Sequence, residues 1–264
     1  MEMPVNTFKR ALRNGERQIG LWVGTADPSA VELLASAGFD CLVFDAEHSP
    51  NDPRSVLPLL QAVAPYPVHP IVRPVRGAVE LIKQYLDIGA QTLVVPMIET
   101  ADEAALVVAA TRYPTRGIRG VASATTRASR WNQIERYAQH ADAEMCVLVQ
   151  VESVKGLRNL DAIAKVDGVD GVFFGPADLA ASMGLIGRPA DPAVRGAIAE
   201  GIATVKRVGK AAGTLTGDRQ LAREYLAMGA LFLAVGVDMT LLVTAATELA
   251  GEFKSVRCVA PGGT

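Results

Sequence analysis

The sequence predicts a (β/α)8 barrel. Eight short apolar runs are spaced along the chain, amphipathic segments fill the gaps between them, and 264 residues is near the ~250 typical of one such barrel. One phrase also recurs, a helix tail with glycine followed by an apolar run: ASAGFDCLVFD, LDIGAQTLVVP, VDGVDGVFFGP and AMGALFLAVGVD. Glycine just past a helix supplies the left-handed cap that turns the chain back into the sheet.

Val5 to Arg13 reads as a short leading helix. Strands are expected at Gln18–Gly24, Asp40–Asp45, Pro70–Val75, Thr92–Met97, Cys146–Val151, Gly171–Gly175, Ala211–Leu215 and Leu231–Gly236. Helices between them include Ser29–Ala37, Val79–Asp87, Leu157–Lys165, Arg195–Val208 and Gln220–Met228. A doubly wound sheet is the alternative. It would want a glycine-rich phosphate turn after its first strand, and LWVGTADPS is not one. No Pro/Gly linker divides the chain, so residues 1–264 are read as one barrel domain, with a disordered tail at Pro261–Thr264.

The net charge of −2 argues against a nucleic-acid partner or an anionic membrane surface. The three cysteines, Cys41, Cys146 and Cys258, form no C-x-x-C pair and read as free thiols in a reducing, cytoplasmic compartment. The first residues carry no apolar signal core. The most membrane-like stretch, Ala230–Ala246, is interrupted by Asp238 and reads as strand, turn and helix.

In parallel α/β folds the working groups sit at strand C-termini. The central candidate is the unit from Met145 to Leu179, where MCVLVQVES ends on Glu152 and GVDGVFFGPADL carries Asp178. Two carboxylates converging at one rim need a cation between them, and with oxygen ligands a hard ion such as Mg²⁺ or Mn²⁺ fits better than zinc. Two helix caps or surface salt bridges are the plainer reading. Gln150, two residues before Glu152, points the same way. Behind Gly175 and Pro176, the N–H groups of Ala177 and Asp178 could face a carboxylate.

The second strand ends FDAEHS, placing Asp45, Glu47 and His48 at the rim. Of three histidines, His140 falls in a polar helix and His69 precedes the third strand, so His48 is the candidate proton shuttle. Arg73, in HPIVRPV, is a charge in an apolar strand and needs an anion: a substrate oxygen, or an internal ion pair with Glu47 or Asp45. No lysine ends a strand, since Lys210 precedes the seventh and Lys155 lies in the turn after the fifth, which disfavours Schiff-base chemistry. The connection from Tyr113 to Trp131 is long and carries Arg116, Arg119, Arg127 and Arg130. It reads as an anion-binding lid, or else as a solvated basic surface.

Together QIGLW, GFDCLVFDAEH, YPVHPIVRP, QTLVVPMIE, GIRGVASATTRASRWN, MCVLVQVE, GVDGVFFGPADL and ALFLAVGVD resemble the metal-dependent pyruvate aldolases of the HpcH/HpaI family over nearly the whole chain. The resemblance implies a (β/α)8 barrel assembled as a homo-hexamer, with the last helix exchanged between subunits. It also implies class II retro-aldol cleavage of a 4-hydroxy-2-oxo acid to pyruvate and an aldehyde. By position, Glu152 and Asp178 would hold Mg²⁺, Mn²⁺ or Co²⁺, and Arg73 would steady the enolate oxygen. The Ala177 and Asp178 amides would hold the substrate carboxylate, Gln150 would line the site, and His48 would act as base through a water. Asp87 would pair with that histidine, but it is read at a helix end on the opposite face, so the contact would come from another subunit. Ala46 departs from the D-G-E-H of relatives, and its methyl is expected to narrow the pocket. A dicarboxylate substrate, 4-hydroxy-2-oxoheptanedioate, would leave succinic semialdehyde, whose carboxylate Arg127 or Arg130 could meet. A 2-keto-3-deoxy sugar acid is the alternative substrate. A thioester lyase of the citrate lyase β type and a non-catalytic metabolite sensor are the more distant alternatives.

Overall fold

Alternation along each apolar run sends successive side chains into two different cores. The computed structural model describes residues 1–255, so Cys258 and the tail at Pro261–Thr264 lie outside the described residues. The strands are β1 (Gln18–Val23), β2 (Cys41–Asp45), β3 (His69–Arg73), β4 (Thr92–Val95), β5 (Cys146–Val151), β6 (Gly171–Phe174), β7 (Ala211–Leu215) and β8 (Phe232–Val237). They close an all-parallel barrel in chain order, β1 pairing with β8. The helices are α1 (Thr7–Arg13), α2 (Pro28–Ala35), α3 (Pro53–Ala62), α4 (Val79–Asp87), α5 (Ala101–Thr111), α6 (Tyr137–Glu144), α7 (Val154–Arg158), α8 (Leu160–Ala164), α9 (Pro176–Ser182), α10 (Pro192–Arg207), α11 (Arg219–Met228) and α12 (Asp238–Ser255). In the four recurring phrases, Gly38, Gly89, Gly168 and Gly229 all take positive φ, the backbone state that a Cβ disfavours.

Inward residues fill the barrel: Trp22, Cys41, Val43, Ile71, Val94, Leu148, Phe173 and Phe232 pack with Phe8 and Leu12 of α1. Helix α1 plugs the N-terminal end. Phe8 stacks on His69 at 5.5 Å and meets Phe232 edge-on at 5.3 Å. His69 bonds Thr92 Oγ1 at 2.8 Å, and burial lowers its pKa to about 4, so it stays neutral as a structural group. Outward residues such as Leu42, Phe44, Val72, Val149 and Phe174 form the second core, beneath the helices.

The arginine-rich connection is not a lid over the mouth. It joins α5 to α6, on the way from β4 to β5, and the connections that lead from helices back into strands in a barrel lie at the N-terminal face. The Ala128 N–H donates to the Asp87 carbonyl at 3.0 Å, and Arg127 Nη1 donates to the Ile88 carbonyl at 2.8 Å, both at the C-terminal end of α4. Arg116 pairs with Asp142 at 3.7 Å. Arg119 is buried, 3.3 Å from Asp87 Oδ1 and 4.6 Å above the Tyr113 ring. Because it unites a core-sized side chain with an ion pair, Arg119→Ala is expected to lower the unfolding free energy by about 3 kcal/mol. Urea denaturation measures this, and an unchanged midpoint would make the pairing incidental.

Candidate active site at the barrel mouth

The inward stripe of each strand turns polar where the strand leaves the barrel. Val43 is followed two residues on by Asp45, Ile71 by Arg73, and Leu148 by Gln150 and then Glu152, so period-2 alternation brings these groups to one mouth. On β6 the same stripe runs from Phe173 to Gly175. A Cβ built at Gly175 would lie 2.1 Å from Glu152 Oε2 and 2.9 Å from Gln150 Nε2. Only glycine leaves those two side chains their positions. Gly175→Ala is therefore expected to displace Glu152 and lower kcat/KM by up to about 100-fold, the cost of misplacing a working group by about 1 Å. Wild-type kinetics in that variant would show that the carboxylate position does not matter.

Arg73 organises one side of the mouth. Its Nε donates to Asp45 Oδ1 at 2.9 Å and its Nη2 to Asp45 Oδ2 at 2.7 Å, a bidentate fork, while Nη1 lies 2.8 Å from Glu47 Oε2. The guanidinium also sits 4.7 Å over the Trp22 ring. The internal ion pair foreseen for Arg73 is thus formed, yet three of its five N–H groups make no hydrogen bond and are left for a ligand. Burial would raise the Asp45 carboxyl, but the hydrogen bonds and charge of Arg73, with help from the Glu47 N–H and Trp22, hold it below its usual value. For Glu47 burial wins over Arg73, and its pKa is raised.

Glu152 anchors the other side. It is 2 % exposed; Gln150 Nε2 donates to Oε2 at 2.5 Å and the Met97 N–H donates to Oε1 at 2.9 Å. Met97 presents that N–H from a left-handed backbone, φ 55°, which is strained for a side chain other than glycine. Burial raises the Glu152 pKa to about 7; its two hydrogen bonds oppose this, and the negative charges of Asp178 and Glu47 add to it. Asp178, in the first turn of α9, is exposed and close enough to both glutamates for its charge to be felt.

These residues fit a hard cation. Four carboxylates, Asp45, Glu47, Glu152 and Asp178, share the mouth with Arg73, whose charge is already engaged by two of them. Two buried oxygens there, Glu47 Oε2 and Gln150 Oε1, have no hydrogen-bond donor among the described residues. The Arg73–Glu47 contact is close but not aligned as a hydrogen bond, so the two observations agree. Among the described residues no group of three or more His, Cys, Asp and Glu is arranged to hold a metal. Glu152 and Asp178 are two carboxylates at one mouth, near enough for the charge of one to act on the other.

The other candidates divide. His48 is at the rim with its side chain 63 % exposed, its Nε2 3.9 Å from Glu47 Oε2. The Ala177 and Asp178 N–H groups lie in the first turn of α9, ahead of the first helical bond from Leu179 N–H to the Gly175 carbonyl. Asp87 ends α4 at the N-terminal face, paired with Arg119, so it cannot reach His48 within one chain. Arg127 and Arg130 also lie at that face, which removes them as partners for a substrate tail within their own chain. The Ala46 methyl packs in the core beneath the helices and does not narrow the mouth, because position 46 points outward between inward Asp45 and Glu47. Lys155 is exposed and paired with Glu99 at 2.8 Å.

Two contributors carried no assignment from sequence. Trp22 is the last inward residue of β1; an aromatic two residues beyond an inward glycine was the available signal. Asp238 is buried at the start of α12 and accepts from the Gly24 N–H at 2.9 Å and the Thr25 N–H at 3.0 Å, tying the β1 exit loop to the last helix.

Fold and site together define a barrel enzyme with an acidic, arginine-braced mouth at the strand C-termini. The chain belongs to the HpcH/HpaI aldolase/citrate lyase family, which it matches over residues 18–245, and it is a carbon–carbon lyase. It is 61% identical over 260 residues to a hydroxypyruvate/pyruvate aldolase of Paraburkholderia phytofirmans, covering 98% of this chain and 97% of the relative. It is 54% identical over 258 residues to a 4-hydroxy-2-oxo-heptane-1,7-dioate aldolase of Escherichia coli, covering 97% and 98%. A solved structure of a family protein from Burkholderia cenocepacia superposes with a TM-score of 0.91 at 41% identity, covering 95% of this chain and 100% of that one.

Proposed function

We propose that this chain catalyses reversible class II retro-aldol cleavage of 4-hydroxy-2-oxo acids, releasing pyruvate and an aldehyde. The observation that carries the reading is Glu152, buried at the barrel mouth that also holds the Arg73–Asp45 pair, with Asp178 close enough for its charge to act on it. Glu152 and Asp178 would hold a divalent ion, Mg²⁺, Mn²⁺ or Co²⁺. Such an ion supplies Lewis-acid stabilisation of negative charge on a 2-oxo group. The free N–H groups of Ala177 and Asp178 orient the substrate carboxylate, and Gln150 keeps Glu152 in place. His48, through a water, accepts the proton of the C4 hydroxyl. As the C3–C4 bond breaks, its electron pair moves into the enolate, whose oxygen meets the remaining N–H groups of Arg73. Protonation at C3 completes pyruvate.

A dicarboxylate, 4-hydroxy-2-oxoheptanedioate, is one substrate to test and a 2-keto-3-deoxy sugar acid is the other. Hydroxypyruvate joins pyruvate as donor in the reverse direction, since relatives carry that name. A homo-hexamer with α12 exchanged, as the family resemblance implies, is also proposed; the apolar face this helix leaves open, including Leu242 at 69 % and Phe253 at 69 % exposure, supports a contact with another chain. In such an assembly a partner's Asp87 could meet the mouth. No helix among the described residues is long and apolar enough to cross a membrane. The buried free thiols of Cys41 and Cys146 fit a reducing cytoplasm.

A coupled assay for pyruvate across a panel of 4-hydroxy-2-oxo acids tests the proposal. Turnover is expected to vanish after exhaustive EDTA treatment and to return with Mg²⁺ or Mn²⁺. Full activity in EDTA would refute the metal assignment, and trapping by borohydride with pyruvate would point to a lysine enzyme instead.

A further inference from the structure

At the N-terminal face, at the opposite end of the barrel from the mouth, the arginine-rich connection closes over a cavity of about 220 Å³. That is below the roughly 300–1,000 Å³ of sites for drug-sized ligands, so it suits a small molecule. Its walls combine apolar Leu60, Val63, Val68 and Ala90 with Tyr66, Gln91 and Tyr137, and Arg127 and Arg130 also line it. No Asp or Glu does. Like charges side by side repel, and burial lowers the Arg127 pKa, with the Arg130 charge adding to that. Folded proteins normally answer such a pair with a carboxylate. Among the described residues neither side chain has one: Arg127 donates only to the Ile88 carbonyl, at 2.8 Å, and Arg130 makes no side-chain hydrogen bond or ion pair.

The arrangement is also fixed in place. Gly89, at φ 104°, leaves room for Arg127, since a Cβ there would lie 2.6 Å from its Nη1. The Ala128 N–H bond to the Asp87 carbonyl at 3.0 Å pins the loop beside it.

We infer that this cavity is a second binding site, for a small carboxylate with a short apolar body. The carboxylate would take N–H groups from Arg127 and Arg130, and the body would lie against the apolar walls. A phosphate suits the place less well. Its further charged oxygens would face Leu60, Val63 and Val68 beside donors that are already engaged, since Tyr66 Oη donates to Glu32 at 3.0 Å and Gln91 Nε2 to the Pro4 carbonyl at 2.8 Å. The inference does not rest on the aldolase reading, because no residue of the mouth takes part.

Isothermal titration calorimetry of the full chain with benzoate, butyrate and inorganic phosphate tests it. Benzoate is expected to bind saturably, one per chain, and more tightly than phosphate. Arg130→Gln and Arg127→Gln should each weaken it about tenfold or more, the loss of one charge-assisted contact. Arg130→Gln removes no contact of the fold, so a misfolded variant does not confuse the result. Glu152→Gln, which disables the mouth, should leave benzoate binding unchanged. Trp131, adjacent to Arg130 and 56 % exposed, offers a second readout: a saturable fluorescence change absent from Trp131→Phe. No saturable binding, phosphate binding as tight as benzoate, binding unmoved by both arginine variants, or binding lost in Glu152→Gln would overturn the inference.

Discussion

Glu152→Gln is expected to reduce kcat/KM by about 10³-fold, the scale of several kcal/mol of charge stabilisation lost at a metal centre. The substitution keeps the shape of the side chain and an oxygen for the Met97 N–H, so the loss reports charge and not packing. The same change should stabilise the metal-free protein at neutral pH and above. The folded-state pKa of Glu152 is raised from 4.5 to about 7, so the folded protein holds a proton there that the unfolded chain has released. Stability from this group is complete below about pH 4.5 and is lost as pH rises through 7, a change of order 3 kcal/mol. In metal-free wild type, unfolding midpoints should fall over that window, and Glu152→Gln should flatten the slope. Because a metal ligand must be deprotonated, divalent-ion affinity should run the other way, climbing through pH 7 with release of one proton. A variant with wild-type turnover would remove Glu152 from the chemistry.

Arg73→Lys should be the next most damaging change. Lysine is a compact point charge and cannot span Asp45 with a fork while also reaching Glu47. Turnover is expected to fall by about 10²–10³-fold, as when an oxyanion donor is removed. Arg73→Ala goes further, since it leaves the carboxylates of Asp45 and Glu47 facing each other half-desolvated. Breaking such a pair typically costs about 3–5 kcal/mol. Steady-state kinetics of the lysine variant with thermal unfolding of both separate the two roles. Near-normal kcat in Arg73→Lys would reduce the arginine to a structural counter-ion.

The barrel was legible because its signals are local. Glycine at the helix exits and eight apolar runs recur with a period that leaves few alternatives, and the four phrase glycines do take positive φ. Asp45, Arg73, Gln150 and Glu152 were legible for the same reason, being polar residues at the inward ends of strands. The lid was misread because charge was weighed ahead of connectivity. A segment that follows a helix and precedes a strand must lie at the N-terminal face, whatever its arginines would suit. Ala46 was misplaced by one step of alternation. Trp22 and Asp238 stayed silent because their partners, Arg73 and the Gly24–Thr25 backbone, are distant in sequence and brought together only by closure of the barrel.

The direct test of the proposed shared cation is a Mn²⁺ titration of metal-free protein, followed by the electron paramagnetic resonance signal of the free ion. One ion per chain is expected in wild type. Glu152→Gln and Asp178→Asn should each weaken it by about 100-fold or more, beyond what disturbing a supporting hydrogen bond does. If either variant still bound one Mn²⁺ per chain at wild-type strength, the two carboxylates would not share an ion, and the account of the mouth would fail.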